Sequence, residues 1–315
     1  MKYLFGLSVL VLLLGCESEP EVVNSIPASY AIGGGEMHVV KYAIGSASED
    51  YSKRAPLVVI HGGPVMDHSY FIPHLDALAR KYQLIFYDQR ASGRSSVAVD
   101  NATMNIKGLV NDIEMLRQEL GYEKINLMGH SWGGLLAMNY AIDFPERLDK
   151  LILSNSMAPN VQDWNAESQE IGARVTQQDQ AERQALISSG ALASEDPREA
   201  VRTLLLQSFK HQMYDQANLQ KLNLYVPIDF NQRNQAFSAL GPDLAAFDYY
   251  ADLSQVKCPV LAVYGVTEPA THIYAAKMVG AFPNARLEVI QNSGHFPFIE
   301  NPEGFNKAVL AFLAQ

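Results

Sequence analysis

The chain has 315 residues, 48% of them hydrophobic, which suffices for one large domain or for a core carrying an inserted cap. Its 34 Asp and Glu against 24 Lys and Arg give a net charge of −10, and with no basic cluster this balance argues against nucleic-acid binding. Two cysteines and eight scattered histidines form no ligand-like Cys/His pair, so no metal and no cofactor are expected.

The N-terminus reads as a separate piece. Met1-Lys2 supplies a short positive start, and Tyr3 to Leu14 is almost wholly apolar but too short to span a bilayer comfortably. The run ends Leu13-Leu14-Gly15-Cys16, which resembles the lipobox of bacterial lipoproteins. That resemblance implies a signal peptide over residues 1–15, cleavage before Cys16, and a lipid on the Cys16 thiol. Residues 16–27, polar, acidic and without periodicity, read as a tether. Glu17 after the cysteine fits outer-membrane sorting, so the expected location is the cell envelope, lipid-anchored and facing the periplasm. The membrane would be touched through the lipid alone. Cys258, before a Pro and a strand, reads as a buried inert thiol.

Tyr30 to Tyr42 reads as a hairpin turning at Gly33-Gly34-Gly35. Leu57 to His61 and Gln83 to Tyr87 are continuous apolar runs of the kind found in buried parallel strands. Met104 to Leu120 carries apolar residues at helical spacing. A strand over Lys124 to Met128, a helix from Gly134, a strand over Leu148 to Leu153, strands at Pro259 to Tyr264 and Ala285 to Ile290, and a helix over Pro302 to Leu313 follow. Strands alternating with helices predict an α/β fold with a mostly parallel sheet covered on both faces. The alternation breaks over residues 157–252, rich in Gln, Ala, Ser and charge with helical pattern only. So long a stretch is not a plain loop. It predicts a helical cap between core segments 28–156 and 253–315.

The chemistry concentrates at Gly129-His130-Ser131-Trp132-Gly133. A serine between flanking glycines, after a strand and before a helix, is the nucleophile elbow, in which a sharp turn lifts the hydroxyl into a cleft. A serine needs a base, and the base needs an acid that orients it. His295 is the candidate base, on the loop after the last strand, where Gly294 permits a tight bend. The candidate acid is Glu268, three residues beyond Gly265, a position where the hydrolases this chain resembles are expected to carry an Asp. The alternative slot after Leu153 is Ser154-Asn155-Ser156 and holds no carboxylate, leaving Asp248 and Asp252 in reserve. Two N–H groups must stabilise the oxyanion. One is assigned to Trp132. The other comes from His61-Gly62-Gly63-Pro64, where Pro64 has no N–H and Gly63 lets substrate approach closely. Asp88 and Arg90 read as loop braces.

Taken together, His61-Gly62-Gly63-Pro64, Tyr87-Asp88-Gln89-Arg90 with Gly93-Arg94-Ser95, the elbow, and Gly294-His295 followed by Phe298-Ile299-Glu300 resemble the α/β-hydrolase family. Within it they resemble the proline iminopeptidase group of serine peptidases. The resemblance implies an α/β-hydrolase core with an inserted cap and cleavage of a small amide or short peptide. It further implies cap carboxylates that hold the free amine; Glu167 and Glu170, near Trp164, are the candidates. A carboxylesterase or lactonase shares most of these motifs. A catalytically inactive envelope binding protein is the remaining alternative, although such proteins usually lack the nucleophile or the histidine.

Overall fold

The apolar runs become strands because they are wrapped on both faces. In the computed structural model, which describes residues 22–45, 54–63, 65–96 and 100–315, β3 (Leu57–Ile60), β4 (Leu84–Tyr87), β5 (Ile125–His130) and β7 (Val260–Gly265) are buried along their whole length. With β1 (Val23–Ile32), β2 (Gly35–Ile44), β6 (Leu148–Ser154) and β8 (Ala285–Ile290) they form one eight-stranded sheet in the order β1-β2-β4-β3-β5-β6-β7-β8. From β4 to β8 every pairing is parallel; β2 joins β4, and β1 joins β2, antiparallel. The helices α1 (Asp76–Ala79), α2 (Ile106–Glu119) and α3 (Trp132–Asp143) and the helices that follow β6 surround it. Two apolar clusters divide the core. One gathers Leu109, Ile113, Leu135 and Tyr140 of α2 and α3, and the other gathers Phe71, Phe86, Phe298 and Phe312. The chain therefore has the α/β-hydrolase fold.

The hairpin is present but longer than its sequence reading. β1 begins at Val23, so residues 23–27, read as the end of a tether, pair with β2 instead. Their alternation was hidden because β1 is an edge strand whose first residues, including Val23 and Ile26, are exposed. Gly33 and Gly34 both take positive φ (65° and 81°), the requirement of a two-residue primed turn. The signal segment and Cys16 lie outside the described residues, as do Glu17 and Pro64. No helix of the described residues is long and apolar enough to cross a membrane.

Between β6 and β7 lie α4 (Val161–Ala173), α5 (Gln177–Ser188), α6 (Arg198–Phe209), α7 (Phe230–Phe237) and α8 (Gly241–Ala245). The insertion leaves and re-enters the core at one point, where Val161 N–H donates to the Phe247 carbonyl at 3.0 Å and Tyr249 N–H to the Pro159 carbonyl at 2.9 Å. Closely spaced ends let an inserted unit sit on an intact core. After β7 come α9 (Pro269–Ile273) and α10 (Ala275–Ala281), and after β8, α11 (Pro297–Glu300) and α12 (Pro302–Leu313). The thiol of Cys258 is buried, which pushes it up to about 11 and leaves it unreactive.

Candidate active site

The carboxyl ends of the parallel strands, where open α/β sheets place their ligand crevices, carry all the catalytic candidates. Ser131 follows β5 in the left-handed region, φ 55°, ψ −123°. Such a turn tolerates no bulk nearby. A Cβ at Gly129 would stand 2.2 Å from the Gly133 carbonyl oxygen, and one at Gly133 would stand 2.4 Å from that of Ile60. The glycine spacing thus reflects strand-to-helix contact as well as the turn.

A cavity of about 270 Å³ is lined by Ser131, His295, Glu268, Gly63 and Trp132 from the core and by Trp164, Glu167 and Phe209 from the cap. His295 Nδ1–H donates to Glu268 Oε1 at 2.9 Å, with Glu268 only 1% exposed. The longer glutamate reaches the imidazole from the position expected after β7. Both proposed oxyanion donors face the same space. Trp132 is the first residue of α3, where helix N–H groups have no intrahelical acceptor. In the β3 loop, Gly62 N–H is already committed to Tyr70 Oη at 2.6 Å, which leaves Gly63 as the donor.

Polar residues that the sequence reading did not single out hold these loops together. Tyr70 O–H donates to His130 Nδ1 at 2.9 Å, and His130 Nε2–H donates to the His295 carbonyl at 2.8 Å. Burial drives His130 well below the ordinary imidazole range, so it stays neutral in the tautomer this chain requires. The loop after β3, the elbow and the loop after β8 are thereby tied in series. Gln89 donates through Nε2 to the His61 carbonyl (2.9 Å) and accepts from Trp132 Nε1 (2.9 Å). Asn155, at φ 41° in the slot where an alternative acid was sought, donates to the Gly294 carbonyl at 3.1 Å and braces the base loop. For His130 and Asn155 the hint was a polar residue at the end of an apolar strand; Tyr70, in the turn His68–Phe71, gave none.

Asp88 and Arg90 are ion-paired braces. Arg90 binds Asp112 through two nitrogens, at 2.7 and 2.5 Å. Burial would raise Asp88, but the hydrogen bond from His68 and neighbouring positive charge outweigh it and hold it at about 2. His38, His68 and Asp88 bring ligand-type atoms within 4.8 Å of one another. Asp88 already accepts from His68 Nδ1 (2.6 Å), His68 N (3.1 Å) and Arg94 N (2.8 Å), so the group reads as a charge network behind the oxyanion loop.

The cap is latched to the catalytic loops. His295 N–H donates to the Gln212 carbonyl at 2.8 Å, and Arg174 donates to the Thr267 carbonyl at 3.1 Å. Glu300 accepts from Tyr214 N–H and Gly294 N–H, each at 2.7 Å, joining cap and base loop.

The two cap carboxylates part company. Glu170 does not line the cavity; Arg174 at 2.8 Å and His272 at 2.7 Å hold it at the cap surface. Glu167, one helical step away, is 7% exposed and faces the cavity. Tyr274 O–H lies 3.0 Å from Glu167 Oε2, and Glu167 lies close enough to Glu268 to feel its charge. A nearby carboxylate disfavours a second negative charge. Burial first, and the Glu268 charge second, push Glu167 well above the ordinary carboxylate value, which favours its protonated form. Glu268 Oε2 is buried and has no hydrogen-bond partner among the described residues.

Residues 55–302 match the family model described as alpha/beta hydrolase fold, and the chain belongs to that family. Among its relatives, a proline iminopeptidase of Lactobacillus delbrueckii subsp. bulgaricus is 31% identical over 263 residues, covering 78% of this chain and 85% of that protein. A proline iminopeptidase of Clostridioides difficile is 27% identical over 274 residues, covering 84% of this chain and 92% of that one. Among solved structures, a proline iminopeptidase of Mycobacterium smegmatis superposes with a TM-score of 0.67 at 23% identity, over 92% of this chain and 98% of that one. A thermophilic esterase of Thermogutta terrifontis superposes with a TM-score of 0.61 at 19% identity, over 92% and 98% of the two chains. These solved structures share the fold; the chain is an α/β-hydrolase.

Proposed function

We propose that the protein is a serine hydrolase of proline iminopeptidase type, releasing an N-terminal residue from a short peptide through an acyl-enzyme. The observation that carries this reading is the 2.9 Å His295–Glu268 hydrogen bond in the same cavity as the elbow serine. Ser131 Oγ attacks the acyl carbon while His295 Nε2 takes its proton. The Glu268 charge stabilises the imidazolium, and Gly63 and Trp132 N–H groups stabilise the oxyanion. His295 then protonates the leaving amine and activates the water that cleaves the ester. None of these steps uses a cofactor.

Glu167 is the cap carboxyl placed to receive the substrate's α-amine, with Trp164 beside it along the cavity. A neutral amine entering the cavity takes the Glu167 proton, and an ammonium–carboxylate pair replaces the carboxyl–carboxylate pair. Relatives named proline iminopeptidase support the amide reading over the ester one.

The test compares proline- and alanine-p-nitroanilide with p-nitrophenyl acetate and butyrate, using Ser131→Ala as blank. Ser131-dependent anilide cleavage, lost when the amine is acetylated, supports the reading. Ester cleavage alone moves the assignment to an esterase. For location, the reading places the chain on the cell envelope through a lipid on Cys16. Metabolic labelling with a radioactive fatty acid should mark the wild type and not Cys16→Ala.

A further inference from the structure

A second cleft, about 470 Å³ in volume, lies between α4, α5 and α6 and shares Ser168, Ile171 and Gln212 with the catalytic cavity, so the two spaces adjoin. Its chemistry differs from that of the catalytic cavity. Asp179 on its wall is charge-compensated, bound by Lys210 Nζ and His211 Nε2, each at 2.6 Å. Arg183, exposed on the same helix, makes no ion pair or hydrogen bond among the described residues and leaves the cleft with one uncommitted cation. Gln207 also lines the cleft, and its buried Oε1 has no hydrogen-bond partner. A buried acceptor left unsatisfied costs free energy that a ligand N–H would recover.

We propose that this cleft is the subsite for the leaving part of the substrate, and that it selects short peptides with a free C-terminal carboxylate. Arg183 pairs with that carboxylate and Gln207 Oε1 accepts a peptide N–H. This rests on the aminopeptidase reading above and narrows its substrate class to short peptides that end in a free carboxylate.

The test measures kcat/KM of the full-length enzyme for Ala-Gly-Gly and for its C-terminal amide, in wild type, Arg183→Gln and Gln207→Leu, with circular dichroism to verify folding. The free acid should be favoured about two- to fivefold, the range of an exposed charge pair. Arg183→Gln should bring the acid-to-amide ratio to about one, and Gln207→Leu should raise KM for both peptides. A wild-type ratio near one, or a ratio that Arg183→Gln does not move, overturns the subsite while leaving the aminopeptidase reading intact. Failure to cleave either peptide, with Ser131-dependent ester hydrolysis retained, removes the aminopeptidase reading and the subsite with it.

Discussion

Replacing Glu167 by glutamine separates recognition of the amine from the integrity of the catalytic machinery. Glutamine keeps the size of the side chain, and its amide N–H can donate toward Glu268 Oε2, which is buried without a partner among the described residues. It cannot give up a proton to the substrate amine and become the carboxylate that pairs with the ammonium. The variant therefore keeps the His295–Glu268 pair and loses one charge-assisted hydrogen bond to the ammonium. Such bonds contribute about 1.5–3 kcal/mol, which is roughly ten- to hundredfold in kcat/KM. The assay is kcat/KM for alanine-p-nitroanilide and for p-nitrophenyl acetate, which has no amine. The anilide should lose roughly one to two orders of magnitude while the ester stays within a factor of about two. An equal loss on both substrates would mean that Glu167 acts through Glu268 alone. No loss on either would refute the amine assignment.

Further outcomes follow from the same geometry. Glu268→Gln removes the charge that stabilises the imidazolium and should lower kcat by roughly 10³–10⁴-fold with little change in KM, read from steady-state kinetics on both substrates. Tyr70→Phe deletes a buried hydroxyl that accepts from Gly62 and donates to His130; it should cost about 1–3 kcal/mol in denaturant unfolding and lower activity on every substrate. Glu167 is held above its unfolded value, so its contribution to stability is full below the unfolded pKa and fades as pH rises through the folded one; unfolding free energies measured across pH should show a steeper alkaline decline in wild type than in Glu167→Gln. Asp88 has the opposite sign. Held at about 2, it stabilises above the unfolded aspartate pKa, and that contribution vanishes as pH falls to about 2. Asp88→Asn should flatten this acid limb.

The sequence disclosed what depends on neighbours along the chain. The elbow was legible because its glycines sit within four residues of Ser131, where a Cβ would collide with the turn itself or with β3. The cap was legible because strand periodicity stops after β6. Glu268 was legible by position, since β7 ends at Gly265 and the slot after β6 holds no carboxylate. The start of β1 was not, because exposed edge residues carry no apolar alternation. The brace made by Tyr70, His130 and the His295 carbonyl joins residues 60 and 165 positions apart, a separation no local pattern encodes. The choice between Glu167 and Glu170 also lay beyond the sequence. Both sit on α4, and only its packing against α9, where His272 captures Glu170, decides which one faces the cavity.

The central claim is that Ser131 is a nucleophile activated by His295. It is tested most directly by treating the folded protein with a fluorophosphonate and mapping the modified peptide by mass spectrometry. The account predicts a single adduct on Ser131, absent in Ser131→Ala and strongly slowed in His295→Ala. A folded wild-type protein that takes no label, or takes it elsewhere, would contradict it.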